Sequence, residues 1–464
     1  MTYKVHPYIY GKKIGTIYYD EGMVYFEYDS EFKSFGLEIS PLKLPLDLTG
    51  VYTNNDERYF SGLPGVFHDS LPDKFGTKVI ERYFESKGIA PYELNVVQKL
   101  MFVGKRGMGA ITYEPAEKIK NNVETKEIID IQNFYENSKK IVTGEPIEVI
   151  DTMLQFMESS ASTGGARAKA VIGYNPNTHE MTNGTHDTLP EGYEHWLIKF
   201  DTEDPDGKDY TKLEYLYMSM AKDAGIDIPE VRLYNNRGLE HFLIKRFDRV
   251  ENERIHIHTV AALTHTDFNI PGHFSYDLLL ALTMHLTGSQ SDVEEQYRRM
   301  VFNVVGRNQD DHAKNFSFMM DKNGDWKMTP AYDITYANGS GYTRNHQLSI
   351  KGKTNNFVLD DLLYIAKENS IKESWAREVI QRTVEIVSEF EQRARKIQLR
   401  EDFITMVAKD LRLDIIGKET NQSIDKDQFI LQQDEDVENH QSKGDEVKIT
   451  TLRQITSQSQ NKIK

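Results

Sequence analysis

The chain has 464 residues, no cysteine and a formal net charge of −16, with 72 Asp and Glu against 56 Lys and Arg. That length accommodates two or three domains with a sizeable core, and the lack of cysteine excludes disulfides, zinc–thiolate sites and thiol nucleophiles. The acidic balance argues against a broad phosphate-backbone footprint, so DNA contact is expected to be local or supplied by a partner. The start, "MTYKVHPYIYGKK", has no signal-peptide pattern, and no apolar run reaches the roughly 20 residues of a spanning helix, so a soluble, cytoplasmic protein without a membrane role is expected.

Residues 1–115 open with the β-like runs "YKVHPYIY", "KIGTIYYD" and "MVYFEYD", separated by Gly and acidic turns, and read as a β-rich N-terminal subdomain. Within it, "SGLPGVFHDSLPDKFGTKVIERYF" takes a Pro- and Gly-rich loop into a helix. Residues 116–147 are polar and read as a connecting segment with some helix. Residues 148–250 begin with "EVIDTMLQFMESS", a short amphipathic helix entering a glycine loop, and continue mainly as strands. The one clear helix there carries Leu213, Leu216, Tyr217, Met220, Ala221 and Ala224 at helical spacing, with Gly225 as its stop. Residues 251–415 are mainly helical; Val293, Tyr297, Met300, Val301, Val304 and Val305 form an apolar stripe that leads into a loop at Asp310. The polar residues 416–464 hold too few large apolar groups to offset their ordering entropy and read as a disordered tail. A strand-rich half followed by a helical half is an α+β, bilobed layout with a nucleotide in the cleft.

The chemistry concentrates in "NQDDHAKNFSFMMDKNGDWKMTPAYDI", where Asp310 precedes Asn315 and a hairpin turning at Asn323-Gly324 carries the chain back to Asp333. Folding the hairpin brings Asn315 and Asp333 together as oxygen ligands of the kind that suit Mg²⁺ beside phosphate oxygens. Asp310 on the loop just upstream is then placed to orient an attacking hydroxyl. In "SSASTGGARAKAVIGY", Ser162, Thr163, Gly164 and Gly165 lie between a helix and a strand, where glycines let backbone N–H groups approach phosphate, although the Walker pattern is missing. Lys199 ends the apolar strand "HWLIKF", where a lysine is ordinarily solvated but, after a glycine loop, can pair with nucleotide phosphates. Glu214 reads as solvent-exposed by itself and, in that frame, as the ion-pair partner that orients Lys199. Lys245, Arg246 and Phe247 end the strand of "HFLIKRFDRV" where a hinge between lobes falls. His256 and His258 share one strand face with His265 nearby, which reads as satisfied core histidines rather than a metal site. His312 reads as a brace for the Asp310 loop.

Glycine loop, strand lysine, helix glutamate, hinge, D-x-x-x-x-N and metal aspartate follow the order in which protein kinases present these parts. There is no D-F-G, because Asp333 sits in "AYDIT", and no H-R-D before Asp310. The stretches "GVFHDSLPDKFG", "GGARAKA", "LIKRFDR", "DDHAKNFS" and "TPAYDI" resemble the HipA-type serine/threonine protein kinases, toxins of bacterial toxin–antitoxin modules, from near the N-terminus to about residue 415. The resemblance implies a protein-kinase-like fold with an extra N-terminal subdomain. It implies Asp310 as catalytic base, Asn315 and Asp333 as Mg²⁺ ligands and Lys199 on the ATP phosphates. Residues 245–247 fall at its hinge, and His312 and Lys314 join Ser162, Thr163, Gly164 and Gly165 among its ATP-binding positions. It also implies a self-phosphorylated serine before the glycine loop (Ser162, or Ser159 or Ser160 in a shifted register), an aminoacyl-tRNA synthetase as target, and a small DNA-binding antitoxin of HipB type. The family often has Gly where this chain has Asp311, a second carboxylate expected to shift metal binding. Two competing readings are a catalytically silent antitoxin partner in a DNA-bound repressor complex and a small-molecule kinase.

Overall fold

In the N-terminal part, Val5, Ile9, Ile17, Val24 and Phe26 alternate with more exposed residues, which is the signature of a sheet with one covered face. The computed structural model describes residues 3–54, 58–117, 128–145, 167–203 and 209–417. Its first sheet is antiparallel, with Tyr3–Ile9 between Gly15–Asp20 on one side and Lys12–Lys13 and Thr112–Glu114 on the other, and with Met23–Tyr28 beyond Gly15–Asp20. Helix Val96–Val103 packs on it, started by a reciprocal cap between Asn95 and Gln98.

A second antiparallel sheet runs Met181–Asn183, Lys169–Tyr174, Glu194–Lys199, Leu239–Lys245, Val231–Asn236 across its width. Its core is shared: Trp196, Ile198 and Leu243 from the sheet pack with Phe75, Val79 and Tyr83 of helix Lys74–Glu85 and Phe134 and Ile141 of helix Ile131–Thr143. The helix at Lys74–Glu85 thus ties the N-terminal part to this sheet. Residues Lys74, Thr77, Lys78 and Glu81 of the same helix line the cleft below the sheet.

The largest core belongs to the helical lobe. Tyr276–Thr287 is started by Ser275, whose hydroxyl accepts from Leu278 N at 3.2 Å, and stopped by Gly288 at φ 63°. Ser289 caps the next helix, Gln290–Val305, which points its C-terminus at the Asp310 loop. Tyr210–Asp223 buries Leu213, Leu216, Tyr217, Met220 and Ala221, as its spacing predicts. The fold is therefore α+β and bilobed, with an added N-terminal β-rich part. Among the described residues no helix is long and apolar enough to cross a membrane.

At Gly65 the N-terminal part packs tightly against the helical lobe. A Cβ there would run into the Ala262 carbonyl of helix Val260–Thr264. Gly65→Ala is expected to cost about 1–3 kcal/mol by overpacking, read as a lowered urea midpoint with an unchanged slope.

Candidate active site

The lobes and the N-terminal part enclose a cleft of about 1020 Å³ that holds Lys169, Lys199, Lys245, Arg246, Phe247, Asp310, His312, Lys314, Asn315 and Asp333 along its walls. Ser159, Ser160, Ser162, Thr163, Gly164 and Gly165 lie outside the described residues, as does the tail from residue 418.

The hairpin forms where the sequence places it. Ser317–Met320 pairs with Trp326–Met328 in the register Phe318 to Met328, and Gly324 turns at φ 92°. Tyr332 O–H lies 3.0 Å from both the Lys314 carbonyl and Ser317 Oγ, which locks the returning arm beside Asn315. Asn315 donates from Nδ2 to the Asp310 carbonyl at 2.8 Å, closing the five-residue loop on itself. Its Oδ1 is the atom left for a cation. Asp333 takes a left-handed backbone, φ 52°, which Asp tolerates better than most residues.

Lys199 is 9% exposed, not solvated, and lies between two carboxylates. It pairs with Glu214 at 2.5 Å and with Asp333. Glu214 is 6% exposed, which corrects the expectation of a solvent-facing side chain: the helix turns it inward because Lys199 needs a counter-charge there. Burial opposes the charge on Lys199, but Asp333 and Glu214 outweigh it and push its pKa up. Burial likewise opposes the charge on Asp333, and Lys199 and Lys169 hold that carboxyl well below the usual range.

Asp310 behaves in the opposite way. Burial on the cleft floor, then the neighbouring Asp333 and Asp311 carboxylates, raise its pKa to about 7, although 42% of its side chain faces the open cleft. His312 Nε2 is 3.7 Å from Asp310 Oδ1, but burial and Lys314 push the imidazole down to about 4, so it is neutral near pH 7. Its ring packs on Phe268 at 4.6 Å between centroids, which fits a brace.

The hinge side chains divide. Phe247 stacks on Tyr332 at 5.8 Å across the cleft, whereas Lys245 reaches out to Glu194 at 2.7 Å. Arg246 turns away into a bidentate pair with Asp248 at 2.8 and 2.7 Å, and its backbone N–H is taken by the His195 carbonyl. Of its backbone, only the carbonyl oxygen is left to meet a ligand.

Two cleft residues escaped the sequence reading. Lys169 stands directly opposite Lys199 on the neighbouring strand, so both ammonium groups rise from one sheet face; burial and then Lys199 push Lys169 down to about 8. Its place just after the glycine loop is the signal that marks it. Asp73 precedes helix Lys74–Glu85, where an Asp ordinarily caps, but it makes no cap bond and pairs instead with Lys314 across the cleft. Nothing local in the sequence foretells that contact.

His256 and His258 are core groups. His256 Nε2 meets the Ile39 carbonyl at 3.0 Å, and His258 bridges Asp69 at 2.7 Å and Ser40 at 3.0 Å. His265 binds Gly65 N at 3.1 Å and does not join them. Among the described residues no cluster of three or more His, Asp or Glu is arranged to hold a metal. Asp333 with Asn315 is instead a two-residue, oxygen-only set of the kind that Mg²⁺ completes with water and phosphate.

Comparison with known proteins gives the chain a family and its fold a relative. Y4dM of Sinorhizobium fredii, which carries a kinase name, is 25% identical over 215 residues, 41% of this chain and 50% of its own, so the chain spans about half the length of that relative. The serine/threonine-protein kinase toxin HipA of Shewanella oneidensis is 23% identical over 334 residues, 66% of this chain and 68% of its own. A chain from the HipA, HipB and operator DNA complex of the Shewanella oneidensis MR-1 toxin–antitoxin system shares the fold, with a TM-score of 0.58 and 18% identity over 87% of this chain and 94% of that one. The HipA N-terminal domain model matches residues 6–114 and the HipA-like C-terminal domain model residues 161–391, and the chain belongs to the HipA family.

Proposed function

We propose that this protein transfers the γ-phosphoryl group of ATP to a serine or threonine hydroxyl of another protein. The observation that carries the reading is the placement of Lys199 between Glu214 and Asp333, in one cleft with Asp310 and Asn315. Lys199 and Lys169 give the sheet face two cations for phosphate oxygens, and Glu214 keeps Lys199 charged and aimed. Mg²⁺ held by Asn315 and Asp333 would neutralise charge on the transferring phosphoryl group. Asp310, with a pKa near neutrality, orients the acceptor hydroxyl and takes its proton. His312 braces the loop, and Lys314 is available to phosphate once it leaves Asp73. The backbone of residues 245–247 and the Phe247 ring border the space for adenine.

Regulation follows from the loop that precedes Lys169. Phosphorylation of Ser162, or of Ser159 or Ser160, would add roughly two negative charges beside the glycines that receive ATP, and would weaken nucleotide binding. The Shewanella complex contains HipB and operator DNA; a small DNA-binding antitoxin of that kind is the proposed partner here. An aminoacyl-tRNA synthetase is the proposed target class, on the family resemblance.

The reading is tested on nucleotide binding first. Lys199→Met removes a charge-assisted contact worth about 1.5–3 kcal/mol, so ATP affinity should fall roughly 10- to 100-fold in titration calorimetry. An unchanged affinity would remove Lys199 from the phosphate site.

A further inference from the structure

The carboxylate next to Asp310 is the start of a buried hydrogen-bond chain that reaches the last described segment of the protein. Asp311 is 1% exposed. Its Oδ2 accepts from Tyr276 O–H at 2.6 Å and lies 2.7 Å from His346 Nδ1, while Oδ1 accepts from Gln347 N at 2.7 Å. Behind His346, Arg412 Nη1 stands 3.3 Å from Nε2, and its Nη2 donates to Asn355 Oδ1 at 2.6 Å. The Arg412 backbone N–H also donates to the carbonyl of Val305, the last residue of the helix that delivers the Asp310 loop. All three side chains are buried, so solvent does not substitute for a lost partner.

A guanidinium only donates. His346 Nε2 must therefore accept from Arg412, which places the imidazole proton on Nδ1 and makes His346 a donor to Asp311. Reverse the tautomer, and Nε2–H would face Arg412 while bare Nδ1 faced a carboxylate, two repulsive contacts among buried side chains. Asp311 cannot turn toward the cleft while it accepts from three donors.

We propose that Arg412 is a positioning residue for the phosphoryl-transfer site: it fixes His346 as the Nδ1–H tautomer, His346 pins Asp311, and Asp311 sets the backbone from which Asp310 enters the cleft. The inference rests on Asp310 acting on the acceptor hydroxyl. A displacement of about 1 Å in such a group can cost roughly 10²-fold in rate, so side chains well behind the loop control turnover without touching a ligand.

The test uses the full-length protein with ¹⁵N-histidine labelling, the His346 resonance being the one lost in His346→Asn. Wild type is expected to show a protonated Nδ1 and an unprotonated Nε2 at His346, and Arg412→Met to lose that preference. In single-turnover assays with Mg²⁺ and ATP, Arg412→Met and His346→Leu are expected to lower the transfer rate roughly 10- to 100-fold with little change in KM for ATP. His346→Asn, whose amide N–H₂ stands where Nδ1–H stood, is expected to recover most of that loss. A wild-type Nε2–H tautomer overturns the inference, as does an Arg412→Met protein that transfers phosphate at the wild-type rate. Should Arg412→Met lose its cooperative melting, the His346→Asn and His346→Leu pair decides: equal rates overturn the inference, and a faster Asn variant supports it. A wild type that transfers no phosphate removes the proposed function, while the tautomer still reports whether the hydrogen-bond chain exists.

Discussion

Asp310→Asn is expected to bind ATP with near wild-type affinity and to transfer phosphate roughly 10²- to 10⁴-fold more slowly, the range removed with a general base. The expectation has a structural basis. Asn keeps the size and the backbone, and the bond from Asn315 Nδ2 goes to the Asp310 carbonyl rather than to its carboxylate, so the loop stays closed. Lys169 and Lys199 on the sheet are untouched. What is lost is a proton acceptor whose pKa, about 7, is matched to neutral conditions. The sign of the pH dependence follows: Asp310 acts as the carboxylate, so kcat/KM should fall as pH is lowered through that value and level off above it. The slope should vanish from the residual activity of Asp310→Asn. A wild-type acid limb that persists in the variant would assign the titration to another group.

Asp248→Asn should be the most damaging single change to the fold. The Asp248 carboxylate is buried with two guanidinium groups, Arg246 and Arg249 at 2.7 and 2.5 Å, and it accepts from Gly109 N at 2.8 Å. Arg249 in turn donates to the carbonyls of Gly107 and Gly109 at 3.1 Å each, so this cluster staples the N-terminal part to the strand end at the hinge. Neutralising the carboxylate leaves two buried cations without a counter-charge, a loss of about 3–5 kcal/mol for a broken buried pair. A lowered denaturant midpoint checks it. Burial opposes ionisation of Asp248, and Arg246 and Arg249 outweigh it, so its folded pKa lies far below the ordinary carboxylate value. The contribution is therefore present above about pH 4, the value in the unfolded chain, and is lost as pH falls below it. Wild-type stability should therefore fall steeply with acid below about pH 4, whereas the Asn variant, less stable from the start, should show a flatter acid limb.

Much of the site is legible in the sequence because it is local. The Asn323-Gly324 turn fixes the hairpin register, and the helical spacing from Leu213 to Ala224 sets which face of that helix is buried. Order along the chain then carries Lys199, Glu214 and Asp333 into one frame. What the sequence does not carry is direction across long separations. Glu214 looks exposed until Lys199, from another element, supplies its charge. Arg246 reads as a ligand contact, but Asp248, two residues on, claims its side chain. Asp311 looks like a second metal carboxylate beside Asp310, yet it faces Tyr276 and His346, partners about 35 residues away on either side. Asp73 resembles a helix cap and instead crosses the cleft to Lys314, 241 residues later. Asp248 apart, the competing partner arrives through tertiary packing, which local spacing cannot encode.

The proposed transfer of phosphate from ATP to protein hydroxyls in this cleft has a decisive experiment. Intact, initially unphosphorylated protein is incubated with Mg²⁺, γ-labelled ATP and cell lysate, beside Asp310→Asn. Label is expected on a serine or threonine of the protein itself and of at least one lysate protein, dependent on Mg²⁺ and absent with the variant. A wild type that binds ATP and starts without phosphate, yet labels no protein, would contradict the proposed transfer.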